Sequence, residues 1–302
     1  YGYLDGYMAE TYFIDGQQLT PTDFGEFDED SGVWKPIVYE GTYGTNGFFL
    51  EFQDSGALGT DSSGNANNFT VNNLTSIDQT TDTPTNNFAT WSPLFGGNAQ
   101  YATFSEGNLK LAGNNAGNAG TNLNSTIGAS SGKYYMEIKA LDIQGVSYPA
   151  VGVMMEDDVF VSIGQVGGNP NSVSYRPGGT VLTNGGVTST QDTYTDNDII
   201  GIALDLDNGA VYFAKNGTYQ NSGVPTSGAS RTGSLYNFTP SSKVYFFGAT
   251  VYQTTAIISA NFGSPAYAIS SGNADGRGHG NFEYAVPSGY YSLNTKNLAE
   301  FG

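Results

Sequence analysis

Paired carboxylates are the side chains in this sequence best suited to catalysis. Asp205 and Asp207 are separated by one residue, and Glu156, Asp157 and Asp158 are consecutive. Two neighbouring carboxyl groups can hydrolyse a glycosidic bond, one as the acid and the other as base or nucleophile. Asp207, however, opens a turn sequence, and adjacent acids on a turn are usually solvated. Glycan hydrolysis is therefore the weaker interpretation, and we predict no catalytic residue.

Nucleophilic catalysis has even fewer candidates. The chain has no cysteine and one histidine, His279, in the glycine-rich stretch 271–281. Ser130 stands in a Gly-x-Ser-x-Gly sequence, but a nucleophile elbow needs a helix after the serine, and here a strand is predicted. One histidine without cysteine cannot build a zinc site. We predict that Ser130 lies in a polar turn and His279 in a mobile loop that has no apolar anchor.

Oxygen-bearing side chains occur at every second residue from Asp61 through Ser63 and Asn65 to Asn67. This spacing is faintly similar to that of a calcium loop, but the bidentate glutamate that closes such a loop is missing. The favoured interpretation is a ladder of side-chain-to-backbone hydrogen bonds with no cofactor, and calcium is the alternative.

The strongest structural signal is a β-hairpin over residues 198–217. Apolar residues alternate from Ile200 to Leu206, which predicts a strand with one buried face. Asn208-Gly209 follows, a pair typical of a two-residue type I′ turn, and the alternation then resumes. A second turn is predicted at Asn216-Gly217. Loops are predicted at 113–125 and 161–169, and further strands at 47–52, 108–112, 134–138, 150–155, 173–175, 180–182, 243–252 and 256–262.

Composition places the chain among turn-rich, all-β proteins. Its 302 residues include 42 Gly, 21 Tyr and 18 Phe, and only 13% are charged. The net charge of −18, with ten basic residues, argues against a nucleic-acid partner. No apolar run approaches the ~20 residues that span a bilayer, so no membrane insertion is expected. The acidic run at 26–30 is predicted as a solvated loop, with a cation site as the alternative.

The hairpin sequence DIIGIALDLDNGAVYFAKNG resembles the central hairpin of SPRY domains. Other similar pieces follow the expected order: SGKYYMEI from Ser131, AVGV from Ala150, SANFG from Ser259 and PSGY from Pro287. Together they cover about residues 105–295. The resemblance implies a bent β-sandwich, a concanavalin-like jelly roll, that binds proteins or other ligands and is not an enzyme.

The resemblance also implies where a ligand would bind, because SPRY-like domains use the loops at one edge of the sandwich. Exposed tyrosines stack on sugar faces and offer protein partners a large, rigid contact. The alternative is that many of the tyrosines are core or cross-strand residues. The residues that these loops carry, and that we predict to contact a ligand, are Tyr148, Tyr175, Arg176, Tyr194, Tyr219 and Tyr252.

The first 24 residues are similar to the last strand of laminin-G-like, concanavalin-type domains. Both faces of this strand carry bulky side chains, so it should be covered on both sides and pair elsewhere or with an absent sheet. The start at Tyr1, without Met or signal peptide, suggests a piece of a longer polypeptide. We therefore expect a closing strand at 1–24, an ordered, extended Asn/Thr-rich connector at 25–104 and the sandwich at 105–302.

The passage from Tyr43 to Thr90 and the C-terminal VPSGYYSLNTKNLAEFG resemble structural proteins of marine bacteriophages. This resemblance implies a non-enzymatic virion protein, a tail-fibre or tail-tip component that attaches to a host-surface glycan or protein. Its partners would be other virion proteins and further copies of itself. The alternatives are a capsid-decoration or head-fibre structural protein and, third, a cell-surface adhesin or filament subunit.

Overall fold

The computed structural model describes residues 8–27, 34–80, 82, 86–94, 99–114, 121–143, 148–159, 164–252 and 256–302. The chain divides into two compact units, Tyr1–Asn87 and Phe88–Gly302, which we call the first and second units. Several predictions fall partly outside the described residues: the beginning of the terminal strand (1–7), the acidic residues 28–30, and parts of the loops at 113–125 and 161–169.

The first unit contains two small antiparallel sheets. The strand predicted within residues 1–24 pairs inside this unit, with the strand that contains Phe48 and Phe49. It is not covered on both sides, because Tyr12 stacks on Phe49 at 4.2 Å whereas Phe13 is 50% exposed. The strands are β1 (Thr11–Phe13), β2 (Gly25–Phe27), β3 (Trp34–Pro36) and β4 (Phe48–Leu50), with pairs β1–β4 and β2–β3.

The Asn-rich segment of the first unit is held by the predicted side-chain-to-backbone ladder. Asp61 accepts hydrogen bonds from the backbone N–H groups of Phe49, Ser63 and Asn67 and from the Ser63 hydroxyl, each at 2.9 Å. Burial alone would raise the pKa of Asp61, but these hydrogen bonds lower it below its usual value. Asn65 donates through Nδ2 to the carbonyl of Gly47 at 2.9 Å. The ladder is thus confirmed.

One sheet of the second unit consists of six antiparallel strands, and we call it the small sheet. Apolar and β-branched residues dominate its central strands, as expected for strands buried on both sides. In spatial order it consists of β12 (Gly186–Thr190), β11 (Thr180–Thr183), β10 (Ser172–Tyr175), β9 (Ala150–Met155), β17 (Tyr245–Val251) and β7 (Thr121–Asn124).

The other sheet of this unit, the large sheet, has nine strands and a parallel pairing of β19 with β8. The described residues of this unit also form two α-helices, α1 (Glu156–Val159) and α2 (Thr295–Phe301). The strand path is β15 (Thr218–Tyr219), β14 (Ala210–Lys215), β13 (Ile199–Asp205), β8 (Lys133–Ile143), β18 (Ala256–Asn261), β6 (Lys110–Gly113) and β5 (Ala102–Ser105), with β16 (Tyr236–Asn237) beside β14 and β19 (Tyr291–Ser292) beside β8.

The main core lies between the two sheets. Val153 and Phe247 of the small sheet and Met136 and Ile202 of the large sheet belong to one cluster of buried side chains. The two sheets therefore form the predicted β-sandwich. Among the described residues, no helix is long and apolar enough to cross a membrane.

The predicted hairpin is β13–β14 and both predicted turns are present, but the first turn is not of the predicted two-residue type. The first connection has four residues, 206–209, and only Gly209 among them has a positive φ, of 68°. The two-residue loop lies at the next turn, where Asn216 and Gly217 have φ values of 48° and 79° and Lys215 pairs with Thr218. Two positive φ angles are the requirement of a type I′ turn.

The hairpin is also buried on both faces, whereas the alternation predicted only one. Residues of its second face, Ala203 and Tyr212, pack with Tyr135, Phe282 and Tyr290 in a separate buried cluster. The C-terminal segment supplies Phe282 and Tyr290. Because this cover is distant in sequence, the pattern of the hairpin itself could not reveal it.

Two further predictions about this unit are wrong in detail. The stretch 113–125 was expected to be a loop, but β7 forms there, because it pairs with β17 and Asn122 accepts a hydrogen bond from Thr250 Oγ1 at 3.1 Å. The unit also starts before residue 105: Trp91 is fully buried in its core.

Candidate functional site

Three neighbouring strands of the small sheet bring the candidate residues together. Tyr148 lies two residues before β9, Arg176 follows β10, and Tyr252 follows β17. Since β10, β9 and β17 are adjacent and antiparallel, with Val151 opposite Tyr175 and Ala150 opposite Thr250, these positions meet at the same end of the sheet. We call Tyr148, Arg176 and Tyr252 the edge cluster.

The edge cluster is held by ring stacking and a hydrogen bond. The rings of Tyr148 and Tyr252 stack with centroids 4.7 Å apart and planes inclined by 18°. The guanidinium carbon of Arg176 lies 5.5 Å from the centroid of the Tyr148 ring, within cation–π distance. The Tyr148 hydroxyl donates to Gln165 Oε1 at 2.6 Å. Gln165 was not predicted, and its glycine-rich surroundings carry no signal for this contact.

Arg176 has an unusual environment for a cation. Its Nε and Nη2 are buried and have no hydrogen-bond partner among the described residues. Burial lowers the pKa of the guanidinium from its usual value, while the neighbouring Tyr148 and Tyr194 oppose that shift. An arginine remains protonated at neutral pH nonetheless, so a positive charge with unused donors sits at this end of the sheet.

Tyr175 and Tyr194 lie beneath the edge cluster rather than on the surface. Their exposed fractions are 0% and 2%, and their rings meet edge to face at 5.2 Å. The Tyr194 hydroxyl donates to the carbonyl oxygens of Pro149 and Tyr175 at 3.1 and 3.3 Å, and Tyr175 donates to the carbonyl of Asp192. The expectation that these two rings are exposed does not hold, because both sides of the small sheet are covered at this point. They support the backbone that carries Tyr148 and Arg176.

Tyr219 is placed apart from the other candidates. It lies on β15 of the large sheet and packs, partly buried, against the cluster around Tyr135 and Tyr212. Burial and the nearby Glu137 carboxylate raise its pKa well above the usual value. The structure therefore groups five of the six predicted residues at one end of the small sheet and leaves Tyr219 outside.

Part of the second unit matches the model of a known protein family. Residues 133–245 match the family model of the SPRY domain, and they include the central hairpin and most of the small sheet. The second unit is SPRY-like.

Two solved structures are similar to this chain over a little more than half of its length. The SPRY domain of human HERC1 is 17% identical with a TM-score of 0.43, and the match covers 56% of this chain and 96% of that one. Stonustoxin is 18% identical with a TM-score of 0.42, covering 57% of this chain. This chain spans 27% of the stonustoxin chain. No curated protein sequence matches.

The carboxylates considered for catalysis have structural partners in the SPRY-like unit. Asp205 is fully buried, forms an ion pair with Lys133 at 3.0 Å and accepts two hydrogen bonds from Asn208. Asp207 accepts a hydrogen bond from the backbone N–H of Gly132 at 2.8 Å. These contacts hold the start of β8 against the hairpin loop. Both carboxylates therefore have structural partners that account for their presence.

The acidic stretch at α1 is similarly engaged. Lys243 forms ion pairs with Glu156 and Asp157 at 3.1 and 3.0 Å. Asp158 is buried and accepts a hydrogen bond from the backbone of Asn171 at 3.2 Å. Burial raises the pKa of Asp158. In the described parts of the chain, no group of three His, Cys, Asp or Glu side chains is arranged to hold a metal ion.

The loop around His279 is anchored, which the sequence did not indicate. Asp275 is buried and accepts hydrogen bonds from the backbone of Arg277 and His279 and from Ser292 and Asn297. Burial would raise its pKa, but these donors lower it below the usual value. The buried carboxylate of Asp275 thus holds this loop, which has no apolar side chain to anchor it. Ser130 lies in a bend before β8, as predicted.

Proposed function

We propose that this chain is a non-enzymatic binding protein of a phage virion, which attaches the particle to a host-surface glycan or protein. The edge cluster is the observation that carries this proposal. Two stacked tyrosines and an arginine with unused donors lie together on a rigid sheet end, and such a combination of aromatic surface with a few polar groups is typical of ligand sites. The SPRY family match supports a binding role, and the resemblance to phage structural proteins supports the virion location.

A homo-oligomer is part of this proposal. A single site built from two half-buried rings would bind a sugar weakly, whereas several copies on one particle would bind a cell surface with much higher avidity. Mass measurement of the full chain in solution tests this point directly: we expect a multimer, and a monomer at micromolar concentration would count against it.

The attachment proposal can be tested with labelled full-length chain on a glycan array and on candidate host cells. We expect binding that a Tyr148→Ala/Tyr252→Ala double variant loses. The matched control is Tyr101→Ala, which removes a half-buried tyrosine beside β5 of the large sheet. Binding that the double variant retains would refute the edge cluster as the site, and a shortened polysaccharide would refute the non-enzymatic role.

A structural role in the virion is the second candidate, and one observation favours it. The first unit exposes several large apolar side chains, which on a monomer often mark a protein contact. Phe13, Phe27, Trp34 and Phe69 are 41–66% exposed. If these residues bind neighbouring virion proteins, charged replacements of Phe27 and Trp34 should block incorporation into particles and leave glycan binding intact.

A further inference from the structure

Arg176 lacks the ion pair that several other basic side chains of the chain form. Lys35, Lys133, Lys215, Lys243 and Arg277 each form an ion pair with a carboxylate. Within the described part of the chain, Arg176 forms none. The residues of the second unit outside that part, 95–98, 115–120, 144–147, 160–163 and 253–255, include no Asp or Glu. The second unit therefore supplies no anion to this guanidinium.

The two unpartnered nitrogens of Arg176 are a geometrically matched pair. Nε–H and one N–H of Nη2 point in the same direction from one edge of the planar guanidinium, and this edge takes a carboxylate in two parallel hydrogen bonds. Both nitrogens of this edge are buried and lack an acceptor. A buried donor without an acceptor is costly, and at Arg176 two such donors lie on the same edge, which favours the binding of an external acceptor there.

The neighbouring rings restrict what kind of carboxylate fits. Tyr252 stacks on the Tyr148 ring and the Arg176 guanidinium lies over the same ring, so the three side chains together form an aromatic and cationic surface. A sugar acid carries a carboxylate directly on a ring whose C–H face can pack on such a surface. Gln165, whose Oε1 accepts from the Tyr148 hydroxyl, adds a side-chain amide next to these rings for contacts with sugar hydroxyls.

We propose that the edge cluster binds an acidic sugar, with Arg176 holding its carboxylate through Nε and Nη2 and Tyr148 and Tyr252 contacting its ring. This inference rests on the proposed attachment function and names the class of glycan. Because both nitrogens of this edge are buried, binding includes a local movement of side chains at this end of the small sheet.

The test is a calorimetric or NMR titration of the full chain with four probes: galacturonate, galactose, acetate and N-acetyl-aspartate amide. We expect galacturonate to bind most tightly, with at least about a tenfold advantage over galactose, because two charge-assisted hydrogen bonds are lost with the neutral sugar. Equal binding of galacturonate and galactose would overturn the proposal. A preference for N-acetyl-aspartate amide would overturn it in favour of an acidic protein partner.

Variants distinguish the role of the Nε and Nη2 edge of Arg176 from that of its positive charge alone. Arg176→Met should lower galacturonate affinity by about tenfold or more, and Arg176→Lys should also lower it because an ammonium group cannot form the side-on pair. The control is Arg231→Met, since Arg231 also has a buried Nε without a partner but does not belong to the edge cluster. Unchanged galacturonate affinity in Arg176→Met would overturn the inference.

The same variants distinguish this inference from the proposed function. If Arg176→Met still binds the array and host cells as the parent does, the acidic-sugar inference fails while attachment stands. If the parent chain binds neither the array, the cells nor galacturonate, both fail. A loss of galacturonate binding and of cell binding in Arg176→Met, with the Arg231→Met control intact, supports both.

Discussion

Replacing Arg176 with methionine should not destabilise the fold. The two buried nitrogens without acceptors each cost about 1–3 kcal/mol in the folded state, and methionine removes both. Methionine keeps much of the packing of the aliphatic stem, and the lost cation–π contact with Tyr148 is worth about 1 kcal/mol. We therefore expect the free energy of unfolding to rise by at least about 1 kcal/mol, which corresponds to at least about 2–4 °C in Tm for a unit of this size.

The contrasting variant is Lys133→Met, which removes the partner of the fully buried Asp205. Breaking this ion pair leaves the buried carboxylate with only its two hydrogen bonds from Asn208, so this change should cost about 3 kcal/mol. Urea denaturation and thermal unfolding of both variants at one salt concentration measure the difference. If Arg176→Met lost as much stability as Lys133→Met, Arg176 would be a structural residue and the reasoning about its unused donors would be refuted.

The other predictions concern the fold that carries the edge cluster. Asp275→Ala should lower the free energy of unfolding by at least about 3 kcal/mol, because it leaves several buried donors without an acceptor. Denaturant midpoints would measure this loss. Because the folded-state pKa of Asp275 is lowered, its contribution is present above its unfolded pKa of about 3.9 and is lost as the pH falls further. Thermal scans from pH 6 to pH 2 should show this loss in the parent chain and a smaller one in Asp275→Ala; identical profiles would contradict it. Gly209→Ala should destabilise the protein more than Gly278→Ala, since both have positive φ but only at Gly209 would a Cβ meet a backbone carbonyl, that of Phe238, at 2.0 Å. Equal losses of stability would show that the carbonyl moves freely.

The sequence predicted those parts of the fold whose signal is local. The alternation from Ile200 to Leu206 identified β13, and Asn-Gly marked both turns of the hairpin. Local sequence could not assign the turn types, because the register between strands sets the loop length at Gly209 and at Gly217. Nor could it identify β7, whose pairing partner β17 lies more than a hundred residues away.

The candidate site was predictable in residue type but not in arrangement. Tyr148, Arg176 and Tyr252 were identified because the SPRY resemblance implies binding by the loops at one edge of the sandwich, and antiparallel pairing of β10, β9 and β17 places them together. Tyr175 and Tyr194 have the same composition signal and are buried, since a tyrosine can serve a core or a surface equally well. Whether Arg176 has an ion-pair partner depends on the position of every carboxylate in the unit, and only the folded chain shows those positions.

The most direct test of the account follows the tyrosine rings and the ligand in one experiment. Full-length chain with isotope-labelled tyrosines is titrated with short galacturonate oligomers while the oligomer length is monitored. We predict that the ring signals of Tyr148 and Tyr252 shift, that those of the fully buried Tyr134 stay in place, and that the oligomers remain whole. Shifts confined to other tyrosines, or oligomers that become shorter, would contradict a binding site at this end of the small sheet that recognises its ligand without changing it.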